Sequence, residues 1–414
     1  MNLIRYILLV LVFFPSVTFG VISAEIFPWA AMFAIASLRY IGKKEATLTA
    51  ALILAMLISA GWSLMTLRGS DAVRSLAAYL NFVLAFVTFM NLSERWQRRA
   101  IDVGCKTLGF FVCLGIAQIL GILDTIDGLL STLVPRATAS ALTNMGGRGV
   151  TLLSSEPSRA GVEVVYLYLL YRLIVRRRRS LIVEDVGLLV FLAVVIKAAQ
   201  PFAFGVLAVG MLFVRRWYHV AFVIFVMQLA PLVHLGNSDS RIFVLLNSVK
   251  EMGLSEALFF VANESGHRLI SIYAFFIYGF LNPLGGGIGS WAVSSIEAIR
   301  VAGVNISEFR YFTVHGDGNI IGIRGSGVLS NMMLDGGIIL TAIFLYWLFG
   351  ITKRYRTWDH VTWVIMVTLL FKISFIGSIG EPIPWVVSAL VLRDNYRRRN
   401  EVCEYREKSE MMAK

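Results

Sequence analysis

Residues 327–350 read GVLSNMMLDGGIILTAIFLYWLFG and carry one charged side chain, Asp335. About 17–25 mostly apolar helical residues are long enough to cross the hydrocarbon core of a bilayer. We therefore predict a transmembrane helix here, and similar runs recur along the chain. The other predicted spans are 6–22, 26–38, 45–64, 74–92, 101–123, 160–175, 185–199, 201–214, 218–235, 359–378 and 381–393. They predict an all-α polytopic integral membrane protein with about twelve transmembrane helices, although the two spans beside Gln200-Pro201 can also be read as one broken hairpin.

The composition is typical of this class. The chain is 57% hydrophobic and 15% charged, with a mean hydropathy of +0.73, values that separate multi-span membrane proteins from soluble domains. The net charge is +12, but no basic stripe suited to a nucleic-acid backbone is found. More than half of the 38 Lys and Arg fall in short segments on one predicted side, including the tail after Arg393. This positive-inside pattern predicts that both termini lie in the cytoplasm.

Two segments are predicted on the opposite side. The first is a loop at 124–159 within the first nine spans (1–235), and the second is a large loop at 236–325. Three spans (326–393) and a basic cytoplasmic tail (394–414) follow. Within the large loop we expect short helices from Leu254 to Ala262, from His267 to Phe280 and from Ser290 to Val301.

The first 24 residues have two interpretations. Arg5, the apolar run to Phe14 and small residues near Ser23-Ala24 resemble a secretory signal peptide. Because further spans follow at once, we interpret the segment as a retained first helix, and cleavage would leave the rest of the topology unchanged.

Four arginines lie on the outer side, against the orientation bias: Arg148, Arg159, Arg268 and Arg324. A guanidinium group is always charged and suits bidentate contact with phosphate or carboxylate. We therefore predict that at least some of them bind an anionic substrate. The alternative is that they reach the membrane interface or pair with Glu156, Glu264 or Asp317.

Glu156 and His315 are the candidate catalytic residues. Glu156 precedes Pro157 at a predicted helix start, where a carboxylate can be a general base or can simply cap the helix. His315 lies in the sequence His-Gly-Asp-Gly-Asn just before a span. It can act as an acid, a base or an electrostatic clamp beside a phosphate, or it can be a structural hydrogen-bonding group.

The large loop contains a glycine-rich turn, Pro-Leu-Gly-Gly-Gly-Ile-Gly at 283–289. It lacks the spacing and flanking residues of dinucleotide or P-loop motifs. Gly285, Gly287 and Gly289 can let the backbone approach a ligand, or they can merely form a turn. No metal-ligand cluster or nucleotide motif is found, so we expect neither a metal nor a cofactor. Asp335 and Lys372 lie within predicted spans, where charges mark functional sites or structural ion pairs.

These motifs together resemble the O-antigen polymerase (Wzy) family, whose layout the related O-antigen ligases share. The resemblance rests on Gly-Arg-Gly (147–149) followed after five residues by Ser-Glu-Pro-Ser (155–158). It also rests on an Arg-led helix at Arg268, on Asn-Pro-Leu-Gly-x-Gly-x-Gly (282–289) and on a terminal His before a span. The chain lacks the His-x-His-Asn sequence associated with ligases. This departure favours a polymerase and weakens the transfer of a catalytic role to His315.

The resemblance implies a GT-C-like glycosyltransferase of the bacterial inner membrane, with a periplasmic site. Its substrates would be undecaprenyl-diphosphate-linked oligosaccharides, and it would transfer the growing glycan to the non-reducing end of a new repeat unit without a metal. Arg268 and Arg148 would hold the diphosphate, Glu156 or His315 would deprotonate the acceptor, and Arg159 and Arg324 would support them. The glycine turn would close over the glycan. The alternatives are an O-antigen ligase and a lipid-linked oligosaccharide flippase. Expected partners are membrane lipid and a chain-length regulator, not nucleic acid.

Overall fold

The computed structural model describes residues 2–18, 27–37, 42–66, 69–123, 133–134, 149–175, 182–213, 256, 260, 263, 267–355 and 359–412. Arg148, the predicted span 218–235, most of the loop 124–159 and the segment from Leu254 to Ala262 lie largely or wholly outside these residues.

Most of the described residues are helical, and none of them forms a strand. The helices are α1 (Asn2–Val12), α2 (Trp29–Ile35), α3 (Lys43–Thr66), α4 (Gly69–Met90), α5 (Glu94–Ile119), α6 (Pro157–Leu170), α7 (Ile182–Phe191), α8 (Ala199–Phe213), α9 (Arg268–Leu281), α10 (Trp291–Val301), α11 (Arg310–His315), α12 (Val328–Thr352), α13 (His360–Phe375) and α14 (Ile383–Met412). Helices α9 and α10 correspond to two of the short helices predicted in the large loop.

Within the described ranges, four helices are long and apolar enough to cross a membrane, judged by length and composition. They are Lys43–Met65, Asp71–Met90, Glu94–Ile119 and Val328–Thr352. The shorter apolar helices are Leu3–Val12, Ala199–Phe213, Arg268–Leu281 and His360–Phe375. The described residues therefore have the architecture of an α-helical membrane protein, in which several predicted spans form helices shorter than a full crossing.

An aromatic cluster joins three of the longest helices at the centre of the core. The Phe82 ring on α4 stacks on the Trp385 indole of α14, with ring centroids 4.6 Å apart. On the next turn of α4, the Phe86 ring centroid is 5.7 Å from that of Trp347 on α12. Offset and edge-on aromatic pairs add to the stabilisation from burial alone. The cluster thus fixes α4, α12 and α14 to one another.

Helix α12 is interrupted at Gly337, whose backbone is left-handed (φ 60°, ψ −161°). In a regular helix the carbonyls of residues 334 and 335 would accept from amides four residues further on. In this helix they accept from the amides of Gly286 and Gly287, at 2.9 and 2.7 Å. The Ile339 amide donates to the Pro283 carbonyl at 3.3 Å. The glycine turn therefore forms backbone hydrogen bonds with α12 beside its interruption.

Helix α6 begins with Pro157 and is buried along most of its length, from Ala160 to Leu170. It packs against α5, α8 and α14. Pro at the first helical position is favoured because its missing amide hydrogen has no helical partner there. Because the rest of the helix is buried, α6 fixes the position of Glu156 and Arg159 at one end of the helix bundle.

The chain between α7 and α8 breaks at Lys197, which has a left-handed backbone (φ 52°). A wider helical turn, Leu192–Ile196, extends α7 up to this break. Helix α8 starts two residues later and contains Gln200 and Pro201 in its first turn. The break therefore brings Gln200 to the same end of the bundle as the start of α6.

The last helix extends beyond the predicted span 381–393 into the segment predicted as a basic tail. Helix α14 runs without interruption from Ile383 to Met412, so 394–412 continues it. Charged pairs one turn apart support the extension, since Asp394 accepts from Arg398 at 2.6 Å and from Arg397 at 2.9 Å. Such pairs stabilise exposed helices.

Candidate functional site

A cleft of about 220 Å³ lies where the starts of α6, α8 and α9 meet the segments that precede α12 and α14. It is lined by Glu156, Ser158, Arg159, Val162, Gln200, His267, Arg268, Arg324, Gly325, Ser326, Ile376, Gly377, Ser378 and Glu381. Sequence-distant segments thus bring together four of the residues that the sequence singled out.

Three hydrogen bonds and an aromatic ring hold Arg159 at the cleft. Its Nε donates to Glu381 Oε1 at 3.0 Å, and its terminal nitrogens donate to the hydroxyls of Ser155 at 2.8 Å and Ser378 at 3.2 Å. Its Cζ lies 4.9 Å from the ring centroid of Phe27. Its side chain is 12% exposed, so the guanidinium is fixed by bonds on its inner side while it still reaches the cleft.

Glu381 connects Arg159 to a second, deeper cation. Its Oε2 lies 3.2 Å from Nζ of Lys372, whose side chain has no exposed surface. The intramembrane lysine noted in the sequence is therefore in an ion pair with Glu381. Asp335, the other such charge, accepts a hydrogen bond from the Tyr79 hydroxyl at 2.8 Å.

Arg268 opens α9 and reaches across the cleft to α8. Its NH1 donates to Oε1 of Gln200 at 2.8 Å. The amide of Gln200 in turn donates to the Phe375 carbonyl at 3.4 Å. A neutral amide orients a guanidinium without itself adding a negative charge.

Arg324 lies in the segment that leads into α12. Its Cζ is 4.9 Å from the ring centroid of Trp291, the first residue of α10. Stacking over an indole is a favourable cation–π arrangement. The indole face thus helps to orient the Arg324 guanidinium.

Glu156 is the exposed carboxylate of the cleft. It occupies the position just before α6 with an extended backbone (φ −152°, ψ 146°), and its side chain makes no capping hydrogen bond. The Ser158 hydroxyl donates to its Oε2 at 3.3 Å. The capping alternative thus lacks its defining contact, and the carboxylate remains accessible to a bound molecule.

His267 and His315 differ in burial and in their position relative to the cleft. Burial lowers the pKa of the His267 imidazole to about 4, and the adjacent Arg268 acts in the same direction, so this cleft residue is neutral near pH 7. His315 is exposed at the end of α11 and is not a lining residue. Its ring lies 4.9 Å from that of Tyr311, which lies 4.7 Å from the His267 ring. His315 is therefore joined to the cleft through Tyr311 rather than directly.

The charges and the size of the cleft indicate which ligands fit. Three arginines face two glutamates along its lining, and Lys372 adds a further positive charge behind Glu381. Its volume of about 220 Å³ is below the roughly 300–1,000 Å³ of sites that enclose a drug-sized ligand. The cleft is therefore suited to a small anionic group on a larger molecule.

The glycines predicted near the site lie elsewhere. A Cβ atom on Gly285 would lie 2.6 Å from the backbone nitrogens of Gly336 and Gly337. One on Gly287 would lie 2.9 Å from Ser63 Cβ, and one on Gly289 would overlap the Cα of Ala72. The turn thus packs closely against α12, α3 and α4, and its glycines are not among the residues that line the cleft.

Four residues of the cleft were not predicted as site residues: Gln200, His267, Ser378 and Glu381. One signal could have found Glu381. It precedes Pro382 as Glu156 precedes Pro157, and both Glu-Pro pairs mark a helix start at the cleft. Gln200, by contrast, is an uncharged residue at a helix break, and nothing local distinguishes it.

Among the residues that the structure describes, no group of three or more His, Cys, Asp and Glu could hold a metal ion. Comparisons with protein-family models, with characterised proteins and with solved structures find no match to this chain.

Proposed function

We propose that this protein is an O-antigen polymerase-like glycosyltransferase of the bacterial inner membrane. On this proposal it joins undecaprenyl-diphosphate-linked oligosaccharide repeat units at the periplasmic face, within a GT-C-like arrangement of about twelve spans. The observation that carries the proposal is the convergence of Arg159, Arg268 and Arg324 on one cleft with the accessible carboxylate of Glu156. The motif resemblance and the apolar helices support the same reading.

The proposed chemistry uses the arginines as a diphosphate clamp. The acceptor hydroxyl attacks the anomeric carbon of the donor, a new C–O bond forms, and the bond to the diphosphate breaks with its electron pair on the phosphate oxygen. Fixed positive charges stabilise the leaving diphosphate because they require no reorganisation during the reaction. Since guanidinium groups can supply this charge, we expect activity to persist when EDTA is present.

Glu156 is the proposed base. It would take the proton of the acceptor hydroxyl as the new bond forms, which is a normal role for a carboxylate within hydrogen-bond reach of the reacting group. The small cleft would enclose the diphosphate, and the glycan and the polyprenyl chain would extend beyond it.

The test is extension of a defined lipid-linked repeat unit by purified protein, with and without EDTA. Wild-type protein should give a ladder of longer glycans under both conditions. Arg268→Ala should reduce extension by about 100-fold or more, as expected when a donor to a developing anion is lost. The matched control is Arg300→Ala, which removes an exposed arginine in the last turn of α10 and should extend normally. A wild-type protein that extends nothing would refute the proposal.

Two alternatives give different results in the same assays. A ligase would transfer the glycan to another acceptor without lengthening the glycan. Cells that lack a ligase would carry no repeat units on that acceptor, whereas cells that lack a polymerase would carry single repeat units. A flippase would move the lipid-linked oligosaccharide from one leaflet of a bilayer to the other and would not lengthen it. Extension in detergent, where no gradient exists, would exclude the flippase.

A further inference from the structure

We propose that Lys372 is a positioning residue whose charge balances Glu381, so that Arg159 can bind an anionic diphosphate at the cleft. This inference rests on the proposed function, which it deepens by assigning a role to a buried intramembrane cation. Nζ of Lys372 lies 3.2 Å from Glu381 Oε2 and 3.4 Å from the Ser378 carbonyl, to which it donates.

The charges of the three residues explain why the lysine is needed. Arg159 and Glu381 alone would form a neutral pair, and a neutral pair attracts an anion weakly. Lys372 makes the group two cations and one anion, with a net positive charge. Because Lys372 has no exposed surface and Arg159 is 12% exposed, Arg159 presents that charge to the cleft.

The hydrogen bonds of Arg159 agree with this arrangement. A guanidinium has five N–H donors, and three of them are used by Glu381, Ser155 and Ser378. Within the described part of the chain, two N–H groups therefore remain for a ligand at the cleft. The bonds to Glu381 and Ser378 fix the direction in which these two groups point.

A purely structural role does not account for the lysine equally well. One arginine and one glutamate already satisfy each other, and each added buried charge carries a desolvation cost. Ionisable side chains within membrane segments are rare and tend to mark functional sites. The presence of a buried lysine at this position is explained if its positive charge is needed for anion binding at the cleft.

The test is binding of inorganic pyrophosphate to purified full-length protein in detergent, measured by calorimetry. Lys372→Met should weaken binding by about tenfold or more, which corresponds to about 1.4 kcal/mol. Lys372→Arg should retain most of the affinity. The matched control is Lys106→Met, which removes an exposed lysine that pairs with Asp102 on α5 at 2.7 Å, and it should bind like wild type.

The decisive variant is the double substitution Lys372→Met with Glu381→Gln. It restores a net positive charge without restoring the ion pair, so pyrophosphate affinity should recover to within a few-fold of wild type. A purely structural role predicts instead that pyrophosphate binding falls only as far as the free energy of unfolding falls, so the stability of each variant is measured by denaturant unfolding in detergent beside its affinity. Wild-type affinity in Lys372→Met, or no recovery in the double variant, would overturn the proposal.

The two proposals fail in different ways. If wild type extends glycan and binds pyrophosphate but Lys372→Met binds equally well, only the role of Lys372 is wrong. If wild type binds pyrophosphate in a Lys372-dependent way but extends no glycan, the polymerase function is wrong and the anion site stands.

Discussion

The cleft and the glycine turn are two polar interruptions in an apolar protein, and they are held in different ways. At the cleft, side chains from distant helices meet, and charge remains at the surface of the site. At the turn, backbone amides of Gly286 and Gly287 bond to carbonyls of α12, and the glycines allow contact too close for a side chain.

The difference separates two sequence features that looked alike. Both the outer arginines and the glycine-rich run stood out as departures from apolar helix. The arginines converge on a cleft, whereas the turn forms backbone hydrogen bonds with α12 beside its interruption at Gly337. Changes at the two regions should therefore affect different measurements.

The largest effect is expected for Glu381→Gln alone. It leaves Lys372 buried without its counter-charge and should lower the free energy of unfolding by about 3–5 kcal/mol, measured by denaturant unfolding in detergent. Adding Lys372→Met should restore most of that stability. As a control, Glu297→Gln removes an exposed carboxylate on α10 and should change the stability little. Equal stability of Glu381→Gln and Glu297→Gln would show that the buried ion pair contributes nothing.

The next effect concerns the base. Glu156→Gln should lower the rate of glycan extension by about 100-fold or more, because an amide cannot take up the proton that the acceptor hydroxyl loses. His315→Ala should lower it by less than about fivefold, since His315 reaches the cleft only through Tyr311 and one weak contact is worth about 1 kcal/mol or less. A reversed order of these two variants would transfer the catalytic role to the histidine.

A smaller effect is expected at the turn. Gly289→Ala would bring a Cβ atom onto Ala72 and should cost about 1–3 kcal/mol of stability through overpacking. The extension rate per folded molecule should stay unchanged. Gly303→Ala is the matched control, because Gly303 also has a positive φ (65°) but has no atom within 4 Å of the added Cβ. If Gly289→Ala reduced extension while leaving stability intact, the turn would belong to the reacting site after all.

The smallest effect is expected for Gln200→Ala. It removes the hydrogen bond that orients Arg268 but leaves the charge in place, so pyrophosphate affinity should fall by about tenfold, near the lower limit for a bond to a charged group. Gln200→Glu should weaken binding further, because it adds a negative charge beside Arg268. An unchanged affinity in both variants would mean that Arg268 is oriented by other contacts.

The helices and the charged residues of the cleft could be predicted because each is marked by its own stretch of sequence. A charge beside an apolar run is conspicuous, and Arg159, Arg268 and Glu156 each lie at a helix start. Their partners were not found, because Arg159 and Glu381 are 222 residues apart and no local pattern links them. About twelve spans were predicted, whereas four of the described helices are long and apolar enough to cross a membrane. Apolar runs that are interrupted at points such as Lys197 fold as shorter helices.

The interruption at Gly337 has a consequence for how the molecule is assembled. The carbonyls of Leu334 and Asp335 have their partners in a segment that precedes α12 in the chain. A peptide consisting of residues 328–352 alone, inserted in lipid, would have no such partners and would be most stable as an unbroken helix. The interruption at Gly337 is thus a property of the assembled protein and forms when the preceding glycine turn packs against α12.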